Sequence, residues 1–187
     1  LDVRLRPVDN YVPLPNGDSL IAVREQHVFA EELRRHVPGD VDAYREYALR
    51  MDRIKPLVRH ILRSPPLARP ALGNLDEWWR LGRKLWRLNA ADLQFLLTLF
   101  GRSAGDLLSD RFQGGAIKAL LGFDAVVGNF ASPYDVGTGY VLLHHVVGQA
   151  GGIDGAWGHA MGGMGAITTA MLAEAKVRGV AVRTRAE

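Results

Sequence analysis

The chain contains no cysteine. That absence removes a disulfide scaffold, a cysteine-ligated zinc site and a thiol nucleophile from the chemistry open to its 187 residues. No stretch reaches the roughly 18 uncharged apolar residues of a membrane-spanning helix. No internal repeat or low-complexity tract is present. Neither sign of charge dominates: 23 Lys and Arg face 20 Asp and Glu, for a net charge of +3. Arginine far outnumbers lysine, and the pI is about 9.4. So mild a basic balance, with no basic stripe interleaved with aromatics outside one helix treated below, argues against nucleic acid as a partner. The N-terminal "LDVRLRPVDN" alternates and carries charge, unlike a signal or transit peptide. A start in mid-strand without methionine predicts a fragment of something longer.

What is present suffices for a globular fold. Hydrophobic residues make up 48% of the chain, ample for a core, and charged residues 23%. The length predicts one domain, or one domain with a small appendage. Leu1–Arg6 alternates like a half-buried strand. Asn16-Gly17 marks a hairpin turn between strands at Tyr11–Leu14 and Ser19–Val23, with Pro13 and Pro15 keeping the first short or at an edge. From Glu25 the period becomes helical, with Phe29 and Leu33 four apart, and Pro38-Gly39 end that helix. Asp40 is expected to cap a long helix with an apolar face of Tyr44, Tyr47, Ala48, Met51, Ile54, Val58, Ile61 and Leu62, kinked at Pro56.

A breaker-rich linker, Ser64–Asn74, follows. Asn74 or Asp76 would cap "LDEWWRLGRKLWRL" and Asn89 would cap "AADLQFLLTLF". Ser103 would cap "AGDLLSDRF", with Asp106 in the capping-box position. Helices are expected near Ala116–Val127 and Gly139–Val147, then a strand-like segment, a helix and a strand at Val180–Thr184. The order predicts an α+β fold, mostly helical, with a small antiparallel or mixed sheet.

The segment Gly155–Thr184 concentrates glycine immediately before a helix, and three readings are open. Gly163-Met164-Gly165-Ala166-Ile167-Thr168 reads G-x-G-x-x-T, followed by a helix, a strand and Glu187, the outline of a dinucleotide-binding turn. A threonine replaces its third glycine, and "GIDGAWGHAM" lacks the apolar run of a buried parallel strand. The second reading is a glycine-lined helix start packed on its own core. The third is close approach of backbone to a flat cofactor or a long apolar ligand, with Gly162 and Gly163 presenting no side chains, Trp157 and Met164 flanking, and the helix N-terminus favouring electron-rich groups.

Elsewhere, adjacent His144 and His145 point about 100° apart on a helix and cannot both grip one metal, so one is expected at the surface and one partly buried. His159 lies beside the glycine turn, either turned to a ligand or held as a hydrogen-bonded strand histidine. Asp124 and Asp135 are too isolated for an acid–base pair, and no Ser-His-Asp arrangement or metal site is legible. In the tryptophan helix, Trp78, Trp79, Leu81, Leu85, Trp86 and Leu88 cover one side and Arg80, Arg83, Lys84 and Arg87 the other. This is the pattern of a helix in a membrane interface, or of a domain helix with a buried apolar face and a wet basic one.

"GAWGHAMGGMGAITTAMLAEAKVRGVAVRT" (Gly155–Thr184) resembles the late-middle segment of FAD-dependent oxidoreductases of the phytoene desaturase type. There a tryptophan-glycine strand leads into a GGM turn, a helix and a G-V-x-V strand returning to the FAD domain. "SPYDVGTGYVLLHHVVG" (Ser132–Gly148) resembles the family's Pro-x-x-x-Gly-Thr helix, "VPGDVDAYREY" (Val37–Tyr47) its early substrate-domain helix, and "VPLPNGDSL" its hairpin.

The resemblance implies a substrate-binding (cap) region, residues 1–164, and a segment, residues 165–187, that returns toward an FAD domain. The family's N-terminal G-x-G-x-x-G unit and C-terminal flavin segment are not in this sequence. The chain is therefore expected to lack the Rossmann-type FAD domain, to be inactive alone and to hold FAD only within the full-length parent. That parent would be an FAD-dependent oxidoreductase, desaturase- or isomerase-like, acting on a long apolar, carotenoid- or lipid-like substrate. Gly162, Gly163 and Met164 would form the flavin-facing turn, and Trp157 and His159 would border the substrate. Catalytic residues are not indicated. Because such substrates partition into bilayers, the resemblance strengthens the membrane reading of the tryptophan helix. It implies a cytoplasmic protein with peripheral contact at the inner membrane face. The competing reading is a non-catalytic module that binds a lipid or a protein.

Overall fold

In the computed structural model, which describes residues 1–64 and 75–184, the chain is mostly helical with three small antiparallel sheets. It divides into two units: Val8–Gly148, and Leu1–Pro7 together with the chain from Gln149 onward. The predicted linker and the Asn74 cap fall largely outside the described residues, as does Glu187.

The larger unit opens with a hairpin of β2 (Asn10–Pro13) and β3 (Ser19–Ala22), the first strand of the chain, β1 (Val3–Leu5), belonging to the other unit. Their register runs from Asn10↔Ala22 to Pro13↔Ser19, so the connection is the five residues from Leu14 to Asp18 and not a two-residue turn. Gly17, at φ 83°, supplies its left-handed position, and Asn16 Oδ1 accepts from the Asp18 N–H at 3.1 Å.

Six helices follow in this unit: α1 (Gln26–His36), α2 (Val41–Arg63), α3 (Leu75–Leu85), α4 (Ala90–Gly101), α5 (Ala104–Arg111) and α6 (Gly115–Val126). A 3₁₀ turn at Thr138–Tyr140 then leads into α7 (Val141–Val147). The i, i+3, i+4 stripe of α2 buries Tyr47, Met51, Ile54 and Val58 as expected, and Leu57 besides. Ile61 and Leu62, expected on the same face, are exposed in the last turns of the helix, where no described element covers them. Tyr47 sits between two rings, edge-on to Phe95 at 6.1 Å and to Phe112 at 5.9 Å, and burial pushes its phenol pKa well above the usual value. Phe29, Leu33, Leu99, Leu107, Ile117 and Leu142 belong to the same core.

The capping pattern differs from the expectation at two places. Asp40 makes no side-chain cap on α2. Its buried carboxylate reaches across the fold, accepting from the Gln113 N–H at 2.8 Å and the Gly114 N–H at 2.6 Å, and so braces the entry to α6. Ser103 does cap α5, accepting from Asp106 N–H at 3.0 Å. The full reciprocal capping box forms at Asn89, with Asp92 as its partner.

The Pro-x-x-x-Gly-Thr segment has a structural role. Thr138 Oγ1 accepts from the Ala104 N–H at 3.0 Å, and its hydroxyl faces the carbonyls of Pro133 at 3.0 Å and Asp135 at 2.8 Å. Gly137, with φ 86°, and Gly139 both donate their N–H to Arg102 O at 3.2 Å. A Cβ at Gly139 would lie 2.7 Å from Leu99 O, so only glycine permits this approach of backbone to backbone.

In the smaller unit β1 pairs antiparallel with β6 (Gly158–Ala160), from Val3↔Ala160 to Leu5↔Gly158. A second ladder joins β4 (Gln149–Ala150) to β5 (Ile153–Asp154), and α8 (Met164–Val177) follows β6. The strand expected at Val180–Thr184 does not form; this segment pairs with no strand among the described residues. Gly179, at φ 75°, turns the chain away after the helix, and no neighbouring strand offers the segment a ladder.

Candidate functional site

The glycine turn is built by the ladder before it and the helix after it. Arg6 N–H donates to Trp157 O and Met161 N–H to Asp2 O, both at 2.9 Å, extending the β1–β6 ladder at each end. The two-residue period of a strand places Trp157 and His159 on one face and Gly158 on the other. Gly158 is needed for packing: a Cβ there would stand 2.8 Å from Val3 Cγ1.

Gly162 and Gly163 are needed for conformation, at φ 88° and 78°. Around Gly163 no atom lies within 4 Å of a Cβ position, so the turn is open on that side. Gly163 then stands at the N-cap of α8, Ala166 N–H donates back to Gly163 O at 3.1 Å, and Met164 is exposed.

This geometry corrects the dinucleotide reading. The strand before the turn is three residues long and antiparallel to β1, so no parallel β-α-β unit surrounds the glycines. Thr168, in place of the third glycine, donates its hydroxyl to Gly165 O at 2.9 Å, as Thr169 does. An open, left-handed glycine turn with an exposed methionine does fit the edge of a flat ring. No cradle for a pyrophosphate accompanies it among the described residues.

The tryptophan helix is shorter than its pattern. It ends at Leu85, so Trp86 and Arg87 lie in the turn beyond it, and Trp86 is 91% exposed. Leu81 is the buried anchor, Trp78 is half-buried, and Trp79 is exposed with Arg83 stacked 4.6 Å over its ring. The basic side is partly neutralised: Arg80 pairs with Asp76 at 3.4 Å and Glu77 at 3.7 Å. Arg83 and Lys84 are the cations of the last helical turn. Among the described residues no helix is long and apolar enough to cross a membrane.

The adjacent histidines divide as expected, His144 exposed and the His145 side chain 8% exposed. His145 Nδ1–H donates to Val141 O at 3.3 Å, and Nε2 lies 3.9 Å from Asp124 Oδ1. Asp124 is therefore less isolated than its position in the sequence suggests. Burial raises its carboxyl pKa, the His145 charge opposes that shift, and Asp9 adds to it. The pairing joins α6 to α7, and no spacing rule along the chain reveals it. No cluster of three or more metal-ligating side chains forms among the described residues.

With this geometry in place, sequence comparison finds similarity over part of the chain to proteins named for an oxidoreductase domain. The mouse (Mus musculus) pyridine nucleotide-disulfide oxidoreductase domain-containing protein 2 is 39% identical over 114 residues, 61% of this chain and 19% of that protein. Its rat (Rattus norvegicus) counterpart is 37% identical over the same extent. The similarity is to these proteins and not to a phytoene desaturase in particular. The chain spans about a fifth of the length of the curated relatives it matches. No family model matches the chain, and no solved structure matches it significantly.

Proposed function

We propose that this chain is the substrate-binding region of an FAD-dependent oxidoreductase acting on a long apolar, carotenoid- or lipid-like substrate. The observation that carries the reading is the similarity to an oxidoreductase-domain protein over 114 residues. The open turn at Gly162-Gly163 supports it as a place where backbone can approach a flat ring. The missing FAD-binding domain of the same parent is the partner this turn would face. When bound, FAD would accept the hydride. The chain's own part would be orientation and exclusion of water: Gly162 and Gly163 keep side chains off the ring, Met164 borders it, and Trp157 and His159 border the substrate. In the same reading α3 and the turn after it rest on a membrane surface at the cytoplasmic side, near a substrate that partitions into lipid.

Gly163→Val in the full-length protein tests the assignment. A β-branched residue is strained at φ 78° and projects into the open side of the turn. Flavin-dependent turnover should fall at least tenfold while the thermal midpoint moves by only a few degrees. A variant that stays fully active, or a wild-type parent without a flavin spectrum, would remove the assignment.

A further inference from the structure

A cavity of about 400 Å³ opens in the helical unit among α2, α4 and α5. Three guanidinium groups line it from three separate places in the chain: Arg50 on α2, Arg102 just after α4, and Arg111 at the end of α5. Gln94, Thr98 and Asp110 add polar atoms. Two of the arginines have carboxylate partners. Arg50 donates from Nε and Nη2 to Glu46 Oε1 at 2.9 and 2.6 Å. Arg102 Nη1 donates to Asp110 Oδ2 at 2.6 Å.

Arg111 has none. Its guanidinium lies 4.6 Å over the buried Phe95 ring and forms no hydrogen bond or ion pair among the described residues. Partial burial, then the charge of Arg50, pulls its pKa down from the usual arginine value, and the more weakly felt charges of Glu46 and Asp110 only partly oppose that shift. Arginine nonetheless stays protonated in proteins, so a half-buried cation faces a polar cavity with a like charge beside it. Three guanidinia against two carboxylates leave the wall with surplus positive charge and several unused N–H donors.

The geometry points to an oxyanion site: Arg111, joined by Arg50 and Arg102, holds the phosphate of a small, soluble phosphate monoester whose organic part occupies the rest of the cavity. A phosphate monoester carries nearly two charges and three terminal acceptor oxygens, each able to accept more than one guanidinium N–H. A carboxylate has two oxygens, and two carboxylates already serve Arg50 and Arg102. A bare phosphate leaves most of the cavity empty. The Gln94 amide on the wall suits a hydroxylated organic portion, and the Thr98 hydroxyl, which donates to Gln94 O at 2.8 Å, can still accept from one. This inference stands apart from the flavin assignment.

Calorimetric titration of the intact protein at fixed ionic strength tests it, with inorganic phosphate, glycerol 3-phosphate and succinate as probes. One equivalent of each phosphate should bind, glycerol 3-phosphate the more tightly, with succinate at least about tenfold weaker than either. Arg111→Gln should weaken the phosphates by about tenfold or more, and Arg111→Lys should recover only part of the loss, since a lysine keeps the charge without the fork. Arg45→Gln, which removes an exposed pair with Asp42 outside the cavity, should change nothing. Should Arg111→Gln fail to fold, Arg102→Gln serves in its place with the same expected direction. Absence of saturable phosphate binding to the wild type, unchanged affinity in a folded Arg111 or Arg102 variant, or succinate binding as tightly as phosphate would each overturn the assignment.

Discussion

Asp40 shows how a residue can hold the expected place and perform a different task. It stands at the N-terminus of α2, where a carboxylate would satisfy local N–H groups, but both its oxygens serve N–H donors more than seventy positions away. Local sequence carries the Asn89–Asp92 box, because both partners fall within four residues; it cannot carry a bond whose partner comes from another helix. Asp40→Ala removes the carboxylate from two part-buried N–H donors and should cost about 1–3 kcal/mol in urea unfolding, whereas a cap facing solvent costs about 1 kcal/mol.

Asp124 gives a pH signature. Its pKa in the fold is raised, chiefly by burial, so its contribution is fully present below the ordinary carboxylate value of about 3.9 and is lost as pH rises through the folded value. Asp124→Asn should therefore match wild type near pH 3.5 and exceed it in stability at pH 7. Equal stability at pH 7, in chemical denaturation across that range, would count against the cause.

At the scale of elements, periodicity located the helices well and their surroundings less well. α2, α4, α5 and α6 lie within a residue or two of where apolar spacing and caps put them. The pattern of the tryptophan helix runs to Leu88, but hydrogen-bonded helix stops at Leu85, since amphipathicity describes faces and not ends. The Val180–Thr184 strand failed for a related reason: β-branched residues make a strand only where a neighbour supplies the ladder. Within the candidate site, the glycine turn was legible from composition, whereas the arginine cavity and the Asp124–His145 pairing are assembled from elements far apart in the chain.

The α3 region makes its own prediction. With Arg80 tied to Asp76 and Glu77, the cations of this region with no ion pair among the described residues are Arg83, Lys84 and Arg87, beside the exposed Trp79 and Trp86. Each contributes about 1 kcal/mol near such a surface. Replacing Arg83, Lys84 and Arg87 by glutamine should release the full-length protein from anionic vesicles in co-sedimentation, while Arg80→Gln should have a smaller effect. Wild-type protein that ignores the vesicles at low salt, or equal loss from both changes, would dismiss the surface.

Across the whole molecule the burial is lopsided. Every buried hydrophobic residue belongs to the larger unit; among the described residues of the smaller one none is buried, although α8 is largely apolar. A unit of this size without an interior gains little from the hydrophobic effect by itself. The amides of β1 and β6 should therefore exchange with solvent orders of magnitude faster than those of Met51 and Ile54 in the isolated chain. In the full-length protein, where the proposed FAD domain would cover α8, they should gain protection. Equal protection in both settings would show that the smaller unit needs no further partner.

The pairing of β1 with β6 also sets a schedule for synthesis. β1 is made first, and the strand it matches follows about 150 residues later. At about 5–20 residues per second, that strand waits on the order of 10–30 s with its edge unpaired. Throughout that interval the helices of the larger unit can form and pack as they are completed, for their contacts lie between the two halves of the ladder in the order of translation. Nascent chains stalled before Gly158 should thus contain a protease-resistant helical body and a β1 segment that a protease still clips, resistance at that segment coming only once β6 is made and free to pair.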